Sequence, residues 1–250
     1  MANQLGGQFL IRIEDIDRQR CTPELAAQAI DDLASIGLRS DGPVLYQSQR
    51  YPLYRDALAK LKAMGLIYSA GLSRAELRGR VEEYERSGAP WPRDPDGAPH
   101  YPTEERDAFR QGLPPTGKEA FAARLDLEAA LARIDNPITW TEIDEDGANP
   151  RVIEADPTAW GDPVIWRRDG VPAYHLAVTV DDAAQGITHI VRGTDLREST
   201  SLHRVLQHLL GLPEPLYHHH ELVRGAEGHK LSKSAGDGLR RPLTDEPRAG

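Results

Sequence analysis

Apolar residues fill positions 9–13 except for Arg12, and the run then gives way to Glu14, Asp15 and Asp17. A short apolar run ending in acids predicts a buried strand that delivers carboxylates at its C-terminal end. Thr22, Pro23 and Glu24 follow as N-cap, first-position proline and first-turn acid. Helical spacing then sets Leu25, Ala26, Ala29, Ile30, Leu33 and Ile36 on one face, with Gly37 as the stop. A second helix is predicted from about Ser48, with Tyr51, Tyr54, Leu58, Leu61 and Met64 inward and Gly65 at its end. Strand followed by helix is the grammar of a parallel α/β sheet.

The pattern changes after Tyr68. To about Pro115 the chain is polar and rich in proline and glycine, with one helix expected over 73–86 and a loop over 88–102. Strand-like pieces return at 122–125 and 138–143, so 70–162 is expected to be an inserted subdomain between 1–69 and 163–250 of a catalytic core. Asp169-Gly170 between two apolar stretches predicts a hairpin of 164–167 with 171–175. Residues 176–180 fit strand or helix equally, because an unbroken apolar run carries no period. A second buried strand is expected at 187–191, again ending in polar groups at Arg192, Thr194 and Asp195, and a helix over 199–210 stops at Gly211.

Composition narrows the classes. Hydrophobic content of 39% and charged content of 28% belong to a globular chain, and no run approaches a membrane span. One cysteine, Cys21, excludes an internal disulfide and a multi-cysteine zinc site, which fits a reducing cytoplasm. The net charge of −9 argues against nonspecific coating of nucleic acid. Near the C-terminus the sign reverses, with Arg224, Lys230, Lys233, Arg240 and Arg241 against Glu227 and Asp237.

That basic stretch contains Lys230-Leu231-Ser232-Lys233-Ser234, flanked by Gly228 and Gly236. Two ammonium groups and hydroxyl donors on a glycine-bounded loop suit charge building up on ATP phosphates; a solvated basic loop has the same composition. Ligands of open parallel sheets sit beyond the carboxyl ends of the strands. Glu14 and Arg192 both fall at such ends, where they suit the amine and carboxylate of an amino acid; spacing alone fits a structural ion pair or two surface charges better. His218, His219 and His220 are consecutive, and strand neighbours point to opposite faces, so all three cannot ligate one metal.

Five segments occur in one order: Ile11-Arg12-Ile13-Glu14-Asp15-Ile16-Asp17; Tyr46-Gln47-Ser48-Gln49-Arg50; Ala173-Tyr174-His175-Leu176-Ala177-Val178 with Asp181-Asp182; Ile190-Val191-Arg192-Gly193-Thr194-Asp195-Leu196; and the lysine segment. Together they resemble the glutamyl-tRNA synthetases and, more closely, their short paralogues, the glutamyl-queuosine tRNA(Asp) synthetases. The resemblance covers most of the chain and is weakest over 70–120. It implies a class I catalytic domain of Rossmann type with a KMSKS-type ATP loop. It further implies ATP, with Mg2+, and glutamate as substrates, and transfer of glutamate to queuosine in tRNA(Asp) by a cytoplasmic monomer. Glu14 would bind the α-amino group, Tyr174 and Arg192 would line the glutamate pocket, Lys230 and Lys233 would contact ATP phosphates, and His219 and Leu222 would lie near the adenine.

Three departures from the family pattern set expectations. Many members carry zinc on cysteines and a tyrosine in the inserted region; Tyr68 to Ser73 contains no cysteine here and only Tyr101 matches, so no zinc is expected. The family also places a strand, an Arg-Phe-Ala-Pro-Ser segment and a HIGH-type histidine motif ahead of the glutamate-binding acid. None of the thirteen residues before Glu14 supplies these, so the first strand is expected to be missing. After the lysine segment only 235–250 remain, so no anticodon-binding domain is expected. A non-catalytic paralogue and a fragment of an ordinary glutamyl-tRNA synthetase are the alternatives this leaves open.

Overall fold

The computed structural model describes residues 1–17, 21–113 and 121–222. Lys230 and Lys233 lie outside the described residues. The first strand, β1 (Arg12–Ile13), leads to α1 (Pro23–Ser35) and then β2 (Leu45–Tyr46), which pairs with β1 in parallel. Thr22 caps α1 through its side chain, as its sequence predicts. The apolar stripe of α1 is narrower than expected: Ala26 is buried, whereas Leu25 and Ile36 are exposed. Both lie roughly 80–100° off the line through Ala26, Ala29, Ile30 and Leu33 at 3.6 residues per turn, and only Ile11, Ile13 and their neighbours cover this helix.

A turn of 3-10 helix at Gln47–Gln49 precedes α2 (Tyr51–Ala63), whose Tyr54, Leu58 and Leu61 are buried as the spacing requires. Next come β3 (Ile67–Ala70), α3 (Arg74–Glu85), α4 (Thr103–Arg110), β4 (Ala122–Leu125) and α5 (Leu127–Leu131). Ser73 and Glu76 close α3 with a reciprocal capping box. After α5 run β5 (Thr139–Glu142), β6 (Arg151–Glu154) and β7 (Val164–Trp166). Strands β3, β4 and β7 form an antiparallel sheet that joins the stretches before, within and after the expected insertion.

The expected hairpin forms over 164–173, with Arg167 N–H donating to the Val171 carbonyl at 2.8 Å and Ala173 N–H to that of Ile165 at 2.9 Å, and only 174–175 pass into helix. One bridge joins Trp166 to Pro172, and α6 (Tyr174–Ala184) begins immediately afterwards. Residues 176–181 of α6 are buried on every side, which explains why their sequence shows no period. Then follow β8 (His189–Gly193), α7 (Ser199–Leu210) and β9 (Leu216–His220). Gly211 ends α7 in the left-handed conformation, φ 67°. The second sheet has the order β6-β5-β9-β8, with β5, β9 and β8 parallel. The main core joins both halves of the chain, packing Leu61 and Leu66 with Leu176, Leu202, Val205 and Leu206.

One set of buried polar groups is joined at a single residue. Asp181, on α6, is fully buried and accepts from Gln47 Nε2 at 3.0 Å, Arg50 Nε at 2.6 Å and Tyr54 hydroxyl at 2.7 Å. Arg12 Nε lies 3.8 Å from the same carboxylate, and Arg12 Nη1 donates to Asp182 at 2.8 Å. Asp15 accepts from the backbone and hydroxyl of Ser48 at 2.8 and 2.6 Å. Burial and the Asp181 carboxylate push the Tyr54 hydroxyl pKa far up, so it stays a donor. Replacing Asp181 by Ala strands a buried guanidinium and two further donors. The expected loss is about 3–5 kcal/mol of unfolding free energy, read by chemical denaturation; a loss below about 1 kcal/mol rules out this lattice as a keystone.

Candidate active site

A cleft of about 310 Å³ opens between β1, β8 and α6. Tyr174, Val178, Asp182 and Gln185 line it from α6, since residues three and four apart share one helix face. Opposite them stand Leu10, Arg12 and Glu14 at β1, and Ile190, Val191 and Arg192 on β8. Glu14, Tyr174 and Arg192, which the sequence singles out from three distant segments, therefore meet in one place. A larger cleft of about 430 Å³ lies between Tyr51, Arg55 and the turn at Arg167–Val171, but none of the expected ligand-binding residues lines it. Chemistry, not size, selects the smaller one.

The two ends of the cleft carry opposite charge. At one end Arg12 donates to Asp182 at 2.8 Å and to Gln185 at 2.9 Å, and lies 3.5 Å from Glu14. Desolvation raises the Glu14 and Asp182 pKa values, and Arg12 opposes both shifts. Arg12 and Asp182 were not expected as site residues; a charged side chain inside an otherwise apolar strand was the available signal. At the other end Arg192 projects from β8, beside the Tyr174 ring, whose hydroxyl burial also shifts upward.

Arg192 is held entirely by neutral groups. Nε donates to His219 Nε2 at 3.2 Å, Nη1 to His203 Nδ1 at 3.2 Å and Nη2 to Thr200 Oγ1 at 2.5 Å. Parallel pairing of β8 with β9 sets Arg192 directly beside His219. His203 Nε2 lies 3.1 Å from His175 Nδ1, and His219 Nδ1 lies 2.8 Å from Glu142 Oε2. Burial holds His175 down to about 4 and lowers His203 and His219, so all three rings are uncharged at neutral pH. Among the described residues no carboxylate forms an ion pair with Arg192. A desolvated cation gripped by neutral acceptors is a receptor for an anion.

The other expected residues divide. The His219 side chain is 2% exposed and turned toward Glu142 and Arg192. Leu222 lies against Gly193, where an added Cβ would meet Leu222 Cδ2 at 2.8 Å and also the Asp195 carboxylate, so a side chain there would displace both side-chain tips. The three consecutive histidines do separate: His218 Nδ1 is 2.9 Å from the Ile143 carbonyl and His220 Nδ1 is 2.9 Å from that of Glu221. The residues at the family zinc position do not fit the metal. Tyr101 accepts from Leu72 N–H at 3.1 Å, the Arg124 guanidinium lies 4.4 Å over its ring, and Tyr68 donates to Asp162 at 3.0 Å. A guanidinium on the ring face repels a second cation, and no thiolate stands nearby to offset that.

Residues 1–241 match the family described as tRNA synthetases class I (E and Q), catalytic domain. The chain belongs to this family. Among relatives of the class I synthetases, a glutamyl-Q tRNA(Asp) synthetase of Rhodobacter capsulatus is 46% identical over 242 residues, covering 93% of this chain and 81% of that protein. One of the same description from Geobacter sulfurreducens is 41% identical over 233 residues, covering 93% of this chain and 67% of that protein. The crystal structure of a glutamate-tRNA synthetase from Elizabethkingia anophelis superimposes with a TM-score of 0.69 at 26% identity, over 96% of this chain. The chain spans 49% of that synthetase, about half its length. A fold of mixed sheets with covering helices is thus that of a class I synthetase catalytic domain. No described helix is long and apolar enough to cross a membrane.

The neutral histidines make stability depend on pH. A folded-state pKa of about 4 for His175, against 6.5 unfolded, means that the unfolded chain binds more protons between those values. Stability should therefore fall as pH drops from 6.5 toward 4, by up to about 1.4 kcal/mol per pH unit for each ring kept neutral. The raised carboxyls of Glu14, Asp162 and Asp182 work in the opposite direction over the lower part of that window. Denaturation of wild type and a His175→Gln variant across this range isolates the ring, and the variant should show the shallower slope.

Proposed function

We propose that this protein activates glutamate with ATP and transfers it to queuosine in tRNA(Asp). The observation that carries the reading is the two-ended cleft. Glu14 and Asp182 offer carboxylates for an ammonium group, and Arg192 offers a cation with no carboxylate of its own. An amino acid with an acidic side chain fits that charge order: α-ammonium toward Glu14, side-chain carboxylate on Arg192, Tyr174 alongside. The α-carboxylate is then the free nucleophile. It attacks the α-phosphorus of ATP, carried as its magnesium complex, forming glutamyl-adenylate and releasing pyrophosphate. A queuosine hydroxyl next attacks the activated carbonyl, and AMP leaves.

Lys230 and Lys233 would neutralise charge building up on the phosphates, Lys233 chiefly in the transition state. Leu222, two residues beyond the end of β9 and beside Gly193, would lie near the adenine. The names of the most similar relatives support tRNA(Asp) as the acceptor. We further propose a cytoplasmic monomer whose core, 1–69 with 163–250, carries 70–162 as an inserted subdomain. No zinc takes part in this scheme.

Glutamate-dependent exchange of pyrophosphate into ATP tests the activation step. Wild type should catalyse it without tRNA, and Lys233→Ala should be slower by ~10²–10³. A normal rate in Lys233→Ala removes the lysine segment from the mechanism. No exchange by folded wild type would leave a binding paralogue as the better reading. In the transfer step, queuosine-bearing tRNA(Asp) should accept glutamate; charging of tRNA(Glu) instead would identify an ordinary glutamyl-tRNA synthetase domain.

A further inference from the structure

Arg192 is only as useful as its aim, and the groups that aim it are not those that would touch substrate. Glu142, on β5, is buried and fully occupied by donors: Trp140 Nε1 at 2.8 Å, the His219 backbone N–H at 2.8 Å, and His219 Nδ1 at 2.8 and 3.1 Å. Donors outweigh burial here and hold the Glu142 carboxyl below its ordinary range. An ionised carboxylate accepts only, so Nδ1 of His219 must carry the ring proton. Its Nε2 is then a lone pair, and two donors converge on it: Arg192 Nε at 3.2 Å and Thr200 hydroxyl at 3.1 Å. Thr200 accepts from Arg192 Nη2, which completes a closed circuit. The other arm obeys the same logic. His203 Nδ1 accepts from Arg192 Nη1, so its Nε2–H donates to His175.

We propose that Glu142 is a positioning residue for Arg192, acting by fixing His219 as the tautomer whose lone pair faces the guanidinium. This rests on the reading of Arg192 as the receptor for the substrate side-chain carboxylate. The arrangement sets selectivity as well as aim. Had a carboxylate gripped Arg192 directly, the cation would be compensated and an amide side chain would suit the cleft as well as a carboxylate. Because Glu142 acts through a neutral ring, the charge of Arg192 remains for the ligand, and glutamine leaves a half-buried cation unpaired.

Glu142→Gln preserves volume but breaks the logic. Its amide must turn an N–H toward Trp140 or toward the His219 backbone N–H, and its oxygen no longer dictates the ring tautomer. In glutamate-dependent pyrophosphate exchange this variant should raise KM for glutamate about tenfold, one misdirected hydrogen bond, and leave KM for ATP within about a factor of two. His219→Gln keeps an amide oxygen available to accept from Arg192 without needing Glu142, and should retain most of the affinity for glutamate. Equal rises in both KM values, or loss of glutamate affinity in His219→Gln as large as in Glu142→Gln, would overturn the proposal.

A measurement independent of activity separates this idea from the reading it rests on. In the ¹⁵N spectrum of wild type at neutral pH, the ring signals lost in His219→Gln should be a protonated Nδ1 and an unprotonated Nε2. A protonated Nε2 or a cationic ring would overturn the proposal even if exchange were normal. Absence of exchange with the expected ring signals would overturn the activity reading and leave the tautomer assignment standing.

Discussion

The fold depends most on one buried charge. Asp181 lies fully inside, on a helix between two others, and draws Gln47, Arg50 and Tyr54 from one side and Arg12 from another. Removing a carboxylate from water is unfavourable unless its lone pairs are filled, so these partners have few alternative positions. The lattice ties β1 and the start of α2 to α6 across more than a hundred residues of sequence. Arg12 reaches past Asp181 to Asp182, and through that contact the buried lattice continues into the floor of the cleft.

Above that floor the structure keeps its charges apart. Acids gather where Arg12 can hold them, and Arg192 is held by an array of uncharged rings and a hydroxyl. Burial makes the rings neutral, and their neutrality leaves the guanidinium unneutralised. Parallel pairing of β8 and β9 contributes by setting Arg192 and His219 at the same level. The pairing of β5 with β9 brings Glu142 to the same rings. Selectivity in this design originates in sheet register as much as in any residue that would meet the substrate.

Much of this is legible in the sequence where the signal is local. The cap at Thr22, the buried stripe of α2 and the stop at Gly211 follow from short-range rules. Glu14 and Arg192 are visible because each ends an apolar strand. What escapes is long-range. Residues 176–181 show no period because they are buried on every side. The hairpin signalled by Asp169-Gly170 forms, and α6 follows it directly because core packing outweighs the β-branched side chains of Val178, Thr179 and Val180. Glu142, Thr200 and His203 look like ordinary polar residues until register brings them around Arg192. For Thr200 and His203 the trace is a run of polar positions, Ser199, Thr200, Ser201 and His203, on an otherwise amphipathic helix. Tyr101 illustrates the reverse case: the family pattern marks it, but its surroundings have exchanged thiolates for a guanidinium.

The uncompensated guanidinium has a consequence for what the cleft meets before its substrate. A half-buried cation with no ion-paired carboxylate attracts small anions, and chloride, phosphate or a simple dicarboxylate would be drawn to it as well as an amino acid side chain. Glu14 and Asp182, at the other end of the same cleft, oppose any ligand that brings negative charge to both ends. Only a molecule that is cationic at one end and anionic at the other satisfies the whole length. The cleft thus disfavours an extended ligand that is anionic at both ends, such as a dicarboxylate, before shape is tested.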